Sequence, residues 1–181
     1  MGWNGDGQSM EYPWYDVVDG DDLAQGDFID SCPIIIPPPS MNEDDTINAN
    51  VCEYDVVIMS QSCDLENRKI DLVLLCPVWP LSKFEERSSF FKSKKGKEEL
   101  RRGNTTGYHL LNECNIENFK REFSVVDFRN AYSVSINFLI DLVQERGERL
   151  RLLPPYREHL SQNFARFFMR VGLPDGIPPF K

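Results

Sequence analysis

The sequence predicts an α+β domain, with a small antiparallel SH3-like β-barrel or strongly bent sheet and a helix at its C-terminal end. Short β-branched apolar runs are punctuated by Gly, Pro, Asn and Asp. The two strongest of these runs are separated by a compact polar link. Two later segments switch to the 3.6-residue apolar period of helices. A length of 181 residues with 41% hydrophobic and 27% charged side chains suits one globular domain with a core of its own.

The elements follow in order. Residues 1–24 are acidic, rich in Gly and aromatics and without periodicity, and read as an arm, with Trp3, Trp14 and Tyr15 available to dock it. The domain proper is expected over 25–174, with a tail at 175–181. Gln25-Gly26-Asp27 punctuates the chain ahead of a strand over 28–36, which Pro37-Pro38-Pro39 ends because proline lacks the ladder donor. Residues 40–53 carry four acids and no base and read as a loop. Strands over 55–60 and 70–78 flank a turn at 62–69 and are expected to pair antiparallel. Residues 81–104 form a basic excursion, partly helical and mobile. Further strands are expected over 107–111, 123–128, 132–134 and 150–153. Ile136, Leu139, Ile140 and Val143 mark a helix that Gly147 stops. The last helix spans 155–171, with proline in its first turn. Leu160, Phe164, Phe167, Phe168 and Val171 form its apolar face, and His159, Asn163, Arg166 and Arg170 a separate stripe.

The net charge of −9 is unevenly distributed. No Lys or Arg precedes Arg68, so residues 1–67 hold 15 acids and no base, while residues 68–181 hold 20 bases against 14 acids. An anionic partner is therefore compatible with the second part of the chain despite the overall sign. The polar N-terminus has neither the basic nor the apolar region of a signal peptide, and no run approaches the roughly 18 apolar residues of a membrane span, which points to a cytoplasmic protein that does not enter membranes. Five cysteines without a CxxC pair and only two histidines argue against a disulfide framework and a zinc centre. Nothing calls for a cofactor or a resident metal.

Several strings resemble the PemK/MazF family of toxin–antitoxin ribonucleases. Gln25-Gly26-Asp27-Phe28-Ile29 is similar to the family's opening strand. Asp55-Val56-Val57-Ile58-Met59-Ser60 is similar to its second, and Leu72-Val73-Leu74-Leu75-Cys76-Pro77-Val78 to its next buried strand. Val125-Val126-Asp127 matches the strand ahead of the terminal helix region. The resemblance implies an SH3-like barrel with a C-terminal helix, a homodimer, and a toxin–antitoxin or defence setting. It does not imply ribonuclease activity. Tyr54 and Asp55 stand where the family carries the arginine that steadies the scissile phosphate, and Trp79 stands near its Thr or Ser position. A carboxylate beside a phosphate repels it.

Four groups of residues are candidates for chemistry. Cys63, in the string Ser60-Gln61-Ser62-Cys63-Asp64-Leu65-Glu66-Asn67, would be a nucleophile if His109 served as its base; otherwise the string is a polar turn that satisfies its own backbone. Asp64 and Glu66, with Asp55, would suit a divalent cation, or are solvated acids. Lys94, Lys95, Arg101 and Arg102, with Phe90 and Phe91 interleaved, suit single-stranded nucleic acid, a solvated loop, or a contact with the acidic third of the chain. Arg166 and Arg170, one turn apart, suit phosphate or carboxylate recognition, or complement the helix end and pair with an acid such as Asp127. The expectation is a non-catalytic binding or regulatory module for a protein or nucleic-acid partner. The alternatives are an endoribonuclease with a relocated site built on Arg166, Arg170 and His109, and a Cys63-dependent hydrolase.

Overall fold

The computed structural model describes residues 12–38 and 49–169. It is an α+β fold in which every strand pairing is antiparallel. Strands β2 (Phe28–Ile36), β3 (Asn50–Ile58), β4 (Leu72–Pro80), β5 (Tyr108–Leu111), β6 (Ser124–Asp127) and β7 (Tyr132–Ser135) form one sheet, in the order β2-β3-β4-β6-β5 with β7 also on β4. Strand β4 is apolar along its length because both its faces are covered, Val73 and Leu75 packing in the cluster that holds Leu139, and Cys76 and Val78 in the cluster that holds Leu160. One edge takes β3, and the other takes β7 at Leu72 to Leu75 and β6 at Val78 to Pro80. Pro77, which has no N–H, falls in the gap between those two partners. The sheet bends at a register shift between Ile29 and Cys32, where Ser31 adopts a φ of 45°. The described strands do not close into a barrel.

A second ribbon pairs β1 (Tyr15–Val18) with β8 (Arg149–Leu152). The acidic arm expected over 1–24 is thus a strand in part: Tyr15 packs its ring edge-on against Phe28 and donates its hydroxyl to the Asn112 carbonyl at 2.7 Å. Residues 1–11, including Trp3, lie outside the described residues. Gly26 joins ribbon to sheet. Its N–H donates to the Ile58 carbonyl and its carbonyl accepts from Leu152 N, both at 2.9 Å. A φ of +89° and a virtual Cβ only 3.1 Å from Leu152 Cβ restrict this position to glycine.

Asp27 is fully buried beside Gly26. It accepts from Ala24 N at 3.1 Å, from Arg149 Nε at 2.9 Å and from both Nε and Nη2 of Arg151. Arg149 is itself only 5% exposed and donates onward to the carbonyls of Gly20 and Asp22. The Gly-Asp pair is therefore structural, tying residues 20–27 to β8 through a completed charge network.

Three apolar clusters hold the layers together. Helix α5 (Ile136–Arg146) inserts Ile136, Leu139, Leu142 and Val143 against β2, β3 and β4, each such burial contributing roughly 1.5–3 kcal/mol. Helix α6 (Tyr156–Phe168) covers the opposite face through Leu160, with Tyr156, Phe164 and Phe167 half-buried. Phe168, expected on the buried face, is 61% exposed, with its ring edge-on to Phe164 and Phe167 while Phe167 takes the contact with Phe128. Val171 and Arg170 lie outside the described residues.

The excursion is more ordered than its charge suggests. Helices α2 (Leu81–Arg87), α3 (Ser89–Lys92) and α4 (Lys94–Arg101) bury Phe84, Phe91 and Leu100 against Val125 in a satellite core. The turn at 62–69 contains the short helix α1 (Ser62–Glu66), and residues 50–53 of the expected loop belong to β3. No helix of the described residues is long and apolar enough to cross a membrane.

Candidate functional site

The period of α6 places Tyr156, His159, Asn163 and Arg166 on one stripe, facing the end of α4 and the outer side of β5. Between them lies a cleft of about 440 Å³. Arg101, Arg102 and Arg166 line it, together with His109 and His159; among the described residues no carboxylate lines it, although Glu98 pairs with Arg101 and Arg102 beside it. Trp14, just before β1, closes one end by stacking on Tyr156 with ring centroids 3.6 Å apart and planes 10° from parallel. Leu100 and Leu110 supply an apolar floor.

His109 is held in place from several sides. Its ring lies over Phe128 at 6.3 Å, and its Nδ1 is 2.9 Å from the Asn163 side-chain nitrogen. With that amide donating to Nδ1, the imidazole proton resides on Nε2 and points away from Asn163. Burial, with the nearby His159, lowers its pKa to about 4, so the ring is neutral at physiological pH.

The arginines differ in their ties. Glu98, one turn back on α4, accepts from Arg101 at 2.8 Å (Nε) and 2.7 Å (Nη2) and from Arg102 Nε at 2.7 Å. Hydrogen bonds from Arg101 and then Arg102 hold the Glu98 carboxyl down at about 2. Arg166 is exposed and has no ion pair among the described residues. Asp127, suggested as its partner, accepts instead from Arg129 (backbone N at 3.0 Å and Nε at 3.1 Å) and from Asn130 at 2.8 Å.

The candidates from sequence thus divide. Arg101, Arg102, Arg166 and His109 share the cleft. Lys94 and Lys95 sit at the other end of α4, exposed, and do not line it. Cys63 is exposed in a different cleft beside Gln25, Arg157, Glu158 and Ser161, with its Sγ 3.8 Å from Asp64 Oδ1. The proposed pairing of Cys63 with His109 is not made: no histidine lines the Cys63 cleft, because β5 presents His109 to the other side of α6. The rest of that string serves the backbone. Ser60 Oγ accepts from Leu74 N at 2.8 Å, Ser62 Oγ from Gln25 N at 3.1 Å, and Asn67 donates to the Cys63 carbonyl at 2.7 Å. Asp55 accepts from Ser31 N and lies near Arg121, away from Asp64 and Glu66. Among the described residues no three of His, Cys, Asp and Glu converge as metal ligands.

Sequence reasoning named Trp14 only as a docking residue of the arm, not as part of a site, and missed Tyr156 and Glu98. Tyr156 was recoverable, since it lies three residues before His159 on the same stripe; Trp14 was not, because its neighbour is 142 residues away along the chain. No known family's sequence profile matches the chain, and no curated protein matches it.

Proposed function

We propose that the chain is a non-catalytic binding module that recognises single-stranded nucleic acid through the cleft between α4, β5 and α6. One observation carries this reading. In a chain of net charge −9, three arginines and two histidines meet beside a stacked Trp–Tyr pair, and Glu98 is the one acid paired with these arginines among the described residues. Guanidinium groups pair with phosphates and aromatic rings stack on bases, which is the pairing that single-strand recognition uses. The separation of Cys63 from His109 favours binding over a thiol hydrolase. The toxin–antitoxin or defence setting, and a PemK/MazF-like, SH3-like ancestry with dimer formation, belong to the same proposal.

The test is fluorescence anisotropy with labelled single-stranded RNA and DNA and with duplex controls over a salt series. Single strands are expected to bind, weakening as salt rises. Arg166→Ala should lower affinity and reduce the log–log salt slope by about 0.7, the value for one phosphate contact on a single strand. Salt-indifferent binding, or an Arg166→Ala protein indistinguishable from the parent, refutes the reading. An endoribonuclease is the second reading, favoured by two imidazoles and a guanidinium in one cleft. Cleavage of labelled RNA that is lost in both His109→Gln and Arg166→Ala would establish it in place of the first.

A further inference from the structure

Two of the arginines that line the cleft already hold an anion, the carboxylate of Glu98, which does not itself line it. Arg101 forks around both oxygens of Glu98, and Arg102 reaches the same Oε1 that Arg101 Nη2 contacts. Two guanidinium groups therefore share a single charge and two acceptor atoms. Both remain largely exposed, at 66% and 59%, so a ligand reaches them without unfolding anything. Arg166 faces them from α6 with no ion pair among the described residues.

Which phosphate displaces Glu98 follows from counting. An internal phosphodiester has one negative charge and two free oxygens, the same as the carboxylate it must replace. Glu98 is tethered a single turn away and competes at high effective concentration. A terminal phosphate monoester carries about −1.5 to −2 charges and three acceptor oxygens. It gives each guanidinium its own acceptor and has charge left for Arg166. Resting on the reading of the cleft as a single-strand site, we infer that Arg101, Arg102 and Arg166 form a receptor for the phosphorylated end of a nucleic-acid strand, with Glu98 holding the seat in the free protein. The Trp14–Tyr156 stack stands in the same cleft to take the terminal base.

The experiment compares strands of one sequence bearing a 5′-phosphate, a 3′-phosphate or hydroxyls at both ends, with the dye on the opposite end. One phosphorylated end is expected to bind at least about tenfold more tightly than the hydroxyl strand, as an additional charged hydrogen bond provides. Glu98→Gln, which alters only exposed pairs on α4, should raise affinity for the hydroxyl strand and narrow that ratio. Arg102→Ala should abolish the preference while leaving residual binding. Adenosine monophosphate, which carries the terminal phosphate and base but not the following nucleotides, should compete, though less well than the strand. Equal affinity for all three strands overturns the end-receptor assignment and leaves single-strand binding standing. Adenosine monophosphate competing as well as the strand overturns recognition of a strand end. No binding by any strand, with the protein folded by circular dichroism, overturns both.

Discussion

The neutral state of His109 makes stability depend on pH in a way one substitution isolates. An unfolded chain protonates this imidazole at about 6.5, whereas the folded protein does so only at about 4, through burial and His159. Below 6.5 the unfolded state therefore binds a proton that the native state refuses, and stability falls as pH drops. Linkage gives a loss of about 2 kcal/mol by pH 5 and about 3 kcal/mol by pH 4, relative to pH 7.5. The charged groups lining the same cleft are Arg101, Arg102 and Arg166, with the titratable His159 beside them, and the three guanidinium groups disfavour a further positive charge there. Replacing His109 with Gln keeps an amide-sized polar group and removes the titration. Urea unfolding of both proteins between pH 7.5 and 4 isolates the effect, since any loss of packing is a constant offset while the divergence is not. The stability gap between parent and His109→Gln should shift in favour of the variant by those amounts as the solution is acidified. Curves that stay parallel over this range refute the claim that the fold holds His109 neutral.

Two further substitutions probe the scaffold. Asp27→Ala should cost about 3–5 kcal/mol in chemical denaturation, since it leaves the buried Arg149 uncompensated; Asp27→Leu with Arg149→Met should cost less than the single change. A double variant as unstable as Asp27→Ala sinks that account. In α4 a Cβ on Gly96 would stand 2.8 Å from the Phe90 carbonyl carbon and 3.0 Å from Phe91 Cα, with the Phe90 oxygen closer still. Gly96→Ala should therefore lower the melting temperature, corresponding to about 1–3 kcal/mol, although alanine favours helices by about 1 kcal/mol. A stabilised variant shows that propensity outweighs the clash.

Periodicity located most elements. The runs at 28–36 and 136–145 differ from the observed β2 and α5 by no more than a residue, because both are rich in apolar side chains that pack into the core clusters and are bounded by Pro37 or Gly147. The arm hid β1, whose four residues carry one buried side chain and acquire strand geometry only from Arg149 to Leu152 at the far end of the chain. The basic excursion looked mobile because its charges outnumber its anchors, yet Phe84, Phe91 and Leu100 suffice to dock it. In the cleft, the stripe on α6 was readable as helical spacing. That β5 turns His109 toward it is decided by strand register, and that Cys63 on α1 lines a different cleft by tertiary packing, neither of which local sequence encodes. Glu98 escaped notice for a related reason: an acid at i,i+3 and i,i+4 from two arginines looks like surface pairing unless the cleft beside them is known.

The Asp27 network also orders events in time. The two arginines that neutralise it are 122 and 124 residues further along the chain. A nascent chain that has emerged only as far as residue 148 has all 15 acids of its first 67 residues but neither of these arginines. Gly26 then has no Leu152 to accept, and β1 has no strand to pair with. Closure of the ribbon is accordingly a late step of high sequence separation, the kind that slows folding. Asp27, the one buried acid among the described residues of that segment, waits for the last strand before its charge is met.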